Sequence, residues 1–161
     1  MSATTEQHDS DLGWSLGVLL RAYERALTSA LGDLPHGYRG YQLLREVVRG
    51  SQPSQLALAG HLGIDRTVMT YLIDDLVAAG LVERRVAEAD RRQRRVVPTA
   101  DGTARLGDLE HRVDAAEDVV LAALAPDDRR TVGLLLRRAA CEYRDADPGD
   151  PCTVVEHALG R

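Results

Sequence analysis

The sequence predicts a mainly α-helical domain that carries one small β-hairpin, and three observations support this. Apolar residues recur at three- and four-residue steps over most of the 161-residue chain, the spacing of amphipathic helices rather than strands. Midway along, Leu62-Gly63-Ile64-Asp65 links a short helical stretch to a longer one through a glycine turn and a capping aspartate. Shortly after comes Asp90-Arg91-Arg92-Gln93-Arg94-Arg95-Val96-Val97-Pro98-Thr99-Ala100-Asp101-Gly102, which sets four arginines around a turn before an apolar pair and a helix start. Such a tip builds no core and lines no pocket; it suits reaching across a phosphate backbone into a groove. A helix-turn-helix followed by an arginine-tipped hairpin is a winged helix-turn-helix, here flanked by long helices.

The elements follow in order. Residues 1–10 are polar and expected to fray. Leu12, Leu16, Leu19, Leu20, Tyr23, Leu27 and Leu31 mark a first helix over 11–34, ended by Gly32 and Pro35. Tyr41, Leu44, Val47 and Val48 mark a second over 38–48, closed by Gly50 and Pro53. A short helix over 53–61 carries Leu56, Ala57 and Ala59, and its end, from Gly60 to Ile64, forms the tight turn, with His61 in that turn. Asp65 then caps a helix over 66–79, because its carboxylate accepts from the free amides of the first turn. Met69, Leu72, Ile73 and Leu76 are its buried stripe, and Gly80 stops it. Strands over 81–87 and 94–97 flank a turn at 89–93, and Pro98, lacking a donor, ends the second strand. Thr99 caps a long helix to about residue 124, with Asp101 well placed in its first turn. Pro126 opens another to about residue 143, with Val132, Leu135, Leu136, Ala139 and Tyr143 on one face. Residues 145–151 read as a linker, and 153–159 as one or two further helical turns.

The expected organisation is a flexible N-terminus (1–10), an N-terminal dimerisation helix (11–37), a winged helix-turn-helix (38–98), C-terminal dimerisation helices (99–144), and a linker with a short tail (145–161). The first and last helices carry more apolar surface than a small winged helix covers alone, which argues for a helical dimer interface.

Composition narrows the partners. Twenty basic residues, all arginine, stand against 25 acidic ones, for a net charge of −5, so any contact with nucleic acid must be local. Two cysteines, Cys141 and Cys152, make no disulfide framework. The N-terminus lacks the apolar core of a signal peptide, and no apolar run approaches the ~20 residues of a membrane span. A cytoplasmic protein is the expectation, with no membrane partner and no cofactor. His8, His36, His61, His111 and His157 are scattered without ligand spacing, so no metal site is expected, though Glu110 and His111 are candidates to join His36 in space. No Gly-x-Ser-x-Gly elbow, P-loop or His-Glu-x-x-His is present, which argues against an enzyme and leaves no catalytic residue to name.

These motifs resemble the MarR family of bacterial transcription regulators. The resemblance rests on Leu62 to Thr70, on Leu72-Ile73-Asp74-Asp75-Leu76, on Gly80-Leu81-Val82-Glu83-Arg84, and on the wing pattern from Asp90 to Gly102. It covers roughly residues 38–105. It implies a homodimer with interlocked first, fifth and sixth helices, a recognition helix in each major groove, and a wing tip in each adjacent minor groove. Double-stranded DNA is then the partner, read as a near-palindromic operator with half-sites about one helical turn apart. Carried over, Arg66, Thr67, Thr70 and Tyr71 face DNA on the recognition helix. Arginine bonds guanine bidentately, and threonine offers a hydroxyl to a base edge and a methyl to thymine. Arg92 holds the family's minor-groove arginine position beside Arg91, and Asp90 orients a neighbouring guanidinium. Tyr71 and Asp75 stand where relatives often carry arginine, and Pro98 replaces the usual leucine.

Each assignment competes with a plainer one. Arg94 and Arg95 alternate in facing, so one, Arg94, is expected on DNA and the other bonded to Glu83 or Glu88 across the strands. Arg84 and Arg85 divide between phosphate contact and cross-strand pairing. The family also implies a small aromatic or anionic effector between the dimer helices and the winged helix. Trp14, His36, Tyr38, Tyr41 and Arg45 are the candidates to line that cleft, Arg45 as carboxylate partner, unless the aromatics are core or dimer contacts. Peroxide-sensing members use a cysteine near the first helix, which this chain lacks. A ligand-responsive repressor is the leading function. The competing class is a winged-helix module that binds protein instead of DNA, for which Asp74, Asp75 and the net acidity leave room.

Overall fold

The computed structural model describes residues 11–50, 54–86 and 94–146, with the side chains of residues 94 and 144–146 outside that description. Six helices and one hairpin follow in the order α1 (Leu12–Leu31), α2 (Gly37–Arg49), α3 (Gln55–Leu62), α4 (Arg66–Ala78), β1 (Val82–Val86), β2 (Arg94–Pro98), α5 (Ala100–Val120) and α6 (Pro126–Ala146). This is the mainly helical winged fold that the sequence predicts.

Local chemistry sets the boundaries. Asp11 caps α1 by accepting from the Trp14 amide at 3.1 Å, Ser54 caps α3 through the Ala57 amide, and Thr99 caps α5 through Gly102. Asp65 accepts from the amides of both Thr67 (2.7 Å) and Val68 (3.3 Å), and those two donors hold its carboxyl below the usual carboxylate range. Gly63 (φ 62°) and Gly80 (φ 73°) supply the left-handed residues that close α3 and α4. The Leu81 amide reaches back to the Leu76 carbonyl, so α4 turns directly into the wing. The α1–α2 turn is tighter than the sequence indicates. His36, a non-glycine residue, takes φ 60° there, and a β-carbon at Gly40 would lie 2.0 Å from the Pro35 carbonyl oxygen.

The wing is an antiparallel pair with Val82 opposite Pro98, Arg84 opposite Val96 and Arg85 opposite Arg95. Ser54 bridges to Arg95, tying the start of α3 to β2. At the wing's base, the Thr99 hydroxyl donates to the Gly80 carbonyl (2.7 Å) and its amide donates to the Leu81 carbonyl (3.1 Å). Gly102 sits against that same carbonyl, where a β-carbon would fall 1.9 Å from the oxygen. The spacing of Thr99 and Gly102 is thus set by the close crossing of α5 over the strand.

One core runs through α1, α2, α3, α4, the wing and α5, with Leu31, Leu43, Leu44, Leu58, Met69, Ile73 and Leu109 fully enclosed. It includes the stripe Met69, Leu72, Ile73 and Leu76 expected of α4. Only the second half of α1 joins it: Leu27 and Leu31 are buried, while Leu12 is 70% exposed and Leu16 and Leu19 lie open. In α6, Leu134, Leu135, Leu136 and Tyr143 are exposed as well. Three expectations need correction. Residues 145 and 146, read as linker, continue α6. His61 lies in the last turn of α3 rather than in the loop, because the helix runs to Leu62 and Gly63 makes the turn. The long helix after Thr99 ends at Val120, with Leu121 as its cap, short of residue 124.

Candidate nucleic-acid interface

The exposed face of α4 presents Arg66, Thr67, Val68, Tyr71, Asp74 and Asp75, with Tyr71 63% exposed. The helix is anchored at its N-terminus by Asp65 and along its opposite face by the core, so these side chains are carried on a rigid support. Thr70 is half-buried at the border with α3. Its hydroxyl donates to the Arg66 carbonyl at 2.9 Å and accepts from the Gln55 amide at 2.6 Å.

Both acidic residues on this face are engaged by side chains from other elements. Asp74 meets the Arg84 guanidinium of β1 at 2.6 Å, and Asp75 meets the His36 ring of the α1–α2 turn at 2.7 Å. The half-buried Arg84 side chain turns back to α4 rather than pairing across the strands. Glu83 bonds Arg85, two residues along the same strand, instead of Arg95 across it. Alternation puts residues 83 and 85 on one side of the ribbon, the side that Arg95 also shares. Arg95 is exposed opposite Arg85. Asp90, Arg91, Arg92 and the turn that carries them lie outside the described residues, as does the Arg94 side chain.

A second cluster forms where α1, α2 and α5 meet. Tyr38 stacks on Tyr41 (centroids 6.0 Å apart, planes at 27°) and meets Tyr23 edge-on at 6.2 Å. The Tyr23 hydroxyl donates to Glu117 at 3.1 Å. Burial, joined by the neighbouring Tyr38 and the Glu117 carboxylate, pushes the Tyr23 phenol well above its ordinary value. Burial also raises Tyr41, against the opposing pull of a hydrogen bond with Arg45. Burial works to lower the Arg45 guanidinium, but the same bond with Tyr41 leaves it above its ordinary value.

Of the five effector candidates, Tyr38, Tyr41 and Arg45 are therefore brought together. Trp14 stands on the open first half of α1, and His36 is engaged with Asp75. Tyr23 and Glu117 belong to the cluster but escape sequence reasoning, since Tyr23 reads simply as one of the apolar positions of α1. Among the described residues no group of histidine, cysteine and carboxylate side chains fits a metal, and Glu110 pairs with Arg49 at 2.6 Å rather than with a histidine. No helix of the described residues is long and apolar enough to cross a membrane.

A helix-turn-helix joined to a two-stranded wing, with the second helix offering its polar face outward, defines a winged-helix protein. Residues 40–93 match the model of the MarR family. A putative transcriptional regulatory protein for the hcr operon of Thauera aromatica is 29% identical over 136 residues, covering 84% of this chain and 78% of that protein. The crystal structure of MarR superposes with a TM-score of 0.74 at 22% identity, over 86% of this chain and 94% of MarR. The Bordetella bronchiseptica protein BpsR, whose DNA binding is regulated by 6-hydroxynicotinic acid, gives 0.69 at 20% identity, over 81% and 94%. These structural likenesses are ones of fold. Residues 40–93 thus resemble the MarR family, within a chain whose fold is that of MarR.

Proposed function

We propose that this regulator is a cytoplasmic homodimeric repressor that reads a near-palindromic operator and releases it when a small aromatic or anionic effector binds. The observation that carries DNA reading is the outward face of α4. Arg66, Thr67 and Tyr71 are exposed there, and of the two carboxylates that would repel phosphate Asp74 is offset by the Arg84 guanidinium and Asp75 is hydrogen-bonded to the His36 ring. The same pairing weighs against an acidic protein-docking module, since Asp74 and Asp75 are already engaged. The resemblance assigns Arg91, Arg92 and Arg94 to the adjacent minor groove.

The dimer follows from the apolar surface left open on α1 and α6. Leu12, Leu16, Leu19, Leu134, Leu135 and Leu136 together exceed what a monomer leaves in water. Effector binding is assigned to the edge of the tyrosine cluster, where Tyr38 supplies an exposed ring and Arg45 a cation suited to a carboxylate. The Bordetella relative, regulated by a pyridine carboxylic acid, supports that chemistry.

The test is fluorescence anisotropy with duplex DNA from upstream of the chain's own gene, over a salt series, using native protein and the Arg91→Ala/Arg92→Ala double variant. Each phosphate contact contributes about 0.9 to the slope of log affinity against log salt. A variant that loses two contacts in each of two protomers should flatten that slope by up to about 3.6. A folded native dimer with no salt-dependent affinity for this or random DNA would overturn the reading. An unchanged slope in the double variant would overturn the wing assignment alone.

A further inference from the structure

We propose that Thr70 reads the operator as a hydrogen-bond acceptor only, and that Gln55, on a different helix, is the positioning residue that imposes this polarity. The inference rests on the DNA-reading function proposed above and narrows it to a class of base.

A threonine hydroxyl has one proton and two lone pairs, so on its own it serves bases of either polarity. In this chain the choice is already made. The proton of Thr70 goes to the Arg66 carbonyl at 2.9 Å, one turn back along α4. One lone pair takes the Gln55 amide at 2.6 Å. What remains toward the exposed side of α4 is a single lone pair and the methyl group. Gln55 is itself fixed as the first residue of α3. The Ser54 side chain before it accepts from the Ala57 amide, and the Ser54 backbone bridges to Arg95 of the wing. Re-aiming the hydroxyl therefore means breaking the contact with the Arg66 carbonyl and leaving Gln55 without its partner.

The consequence is chemical selectivity. In the major groove, adenine N6 and cytosine N4 present amine donors, which a lone pair accepts. Guanine O6 and N7 and thymine O4 present only acceptors, which face the Thr70 oxygen with like polarity. Thr70 should favour adenine or cytosine on the strand it contacts, and Arg66 remains the residue suited to guanine.

The probes are duplexes enriched by the native protein from a random library, with every base pair of one half-site then changed to each alternative. Affinities are measured by anisotropy for native protein, Thr70→Val, Thr70→Ser and Gln55→Leu, with thermal melts as the check on folding. The native protein should show one half-site position preferring adenine or cytosine over guanine or thymine roughly fivefold, the value of one net hydrogen bond. Thr70→Val should erase that preference while leaving the salt slope and the other positions unchanged. Thr70→Ser, which keeps the hydroxyl, should retain it. Gln55→Leu should weaken it at the same position only, an effect that a merely structural role for Gln55 would not localise. If Thr70→Val keeps the native base profile, or the position it alters favours guanine or thymine, the inference is overturned while DNA reading stands. If the native protein enriches no sequence and binds without salt dependence, DNA reading fails and this inference with it.

Discussion

Gly102→Ala tests whether the wing is locked to α5 through close backbone contact. The added β-carbon would sit 1.9 Å from the Leu81 carbonyl oxygen and 2.8 Å from its carbon. Both are backbone atoms, so no side chain can swing aside, and the helix or strand must retreat by about 1.5 Å for the β-carbon to reach ordinary van der Waals contact with the oxygen. That retreat strains the Thr99 amide bond to Leu81 (3.1 Å) and the Thr99 hydroxyl bond to Gly80 (2.7 Å). Overpacking costs about 1–3 kcal/mol and each of the two weakened hydrogen bonds about 1 kcal/mol, so the loss is roughly 3–5 kcal/mol. For a chain of this length that is about 5–15 °C in melting temperature. Gly107→Ala, five residues on in the same helix, is the control: nothing lies within 4 Å of its β-carbon. It should raise stability by up to about 1 kcal/mol through helix propensity. Both are read by thermal and urea denaturation at one fixed protomer concentration, because the midpoint of a dimer would depend on it. Equal melting of Gly102→Ala and native protein would refute the argument.

Two further outcomes are expected. Arg84→Ala should weaken DNA binding by leaving the Asp74 charge bare. At about 8 Å from a phosphate this costs roughly 0.5–2 kcal/mol per protomer. Adding Asp74→Ala should restore most of the affinity measured by anisotropy, whereas a double variant as weak as the single would mean that Arg84 itself contacts the backbone. Asp33, clamped by Arg112 and Arg105 of α5, is held well below the ordinary carboxylate range. A depressed carboxyl contributes stability above its unfolded pKa and loses it as pH falls toward the folded value. The melting-temperature gap between native and Asp33→Asn should therefore be full near neutral pH and narrow below about pH 4. A gap constant from pH 7 to pH 3 would remove Asp33 from that role.

The helices and the hairpin were legible because their signals are local. Asp65 and Gly80 act within four residues of themselves, as Thr99 does in capping α5, and the stripe of Met69, Leu72, Ile73 and Leu76 is a spacing rule. What stayed hidden depends on distance in three dimensions. His36 and Asp75, 39 positions apart, share a hydrogen bond. Tyr23 and Glu117, 94 apart, share a hydrogen bond. Arg84 carried a legible conflict, because a cation at a strand start has several carboxylates within reach, and only the turn from α4 into β1 chooses Asp74. The apolar surplus on α1 and α6 was legible as an excess, yet the point along α1 where packing stops, between Tyr23 and Leu19, was not.

The pairings of α2 give the proposed effector response its physical route. This helix carries Tyr38, Tyr41 and Arg45 toward the tyrosine cluster. On the other side, its Glu46 holds His61 of α3 at 3.2 Å, and the turn that begins it holds Asp75 of α4 through His36. The element that would feel a ligand is thus fastened to both helices of the helix-turn-helix. Because half-exposed ion pairs contribute only about 0–1 kcal/mol each, these fastenings can be exchanged at a cost that an effector of modest affinity supplies. A displacement of α2 would move α3 and α4 together, preserving the Gln55–Thr70 contact while changing the separation of the two recognition helices in a dimer. In that arrangement the effector alters how tightly the operator is held and leaves unchanged which bases are read. By linkage, operator DNA must weaken effector binding by the same factor.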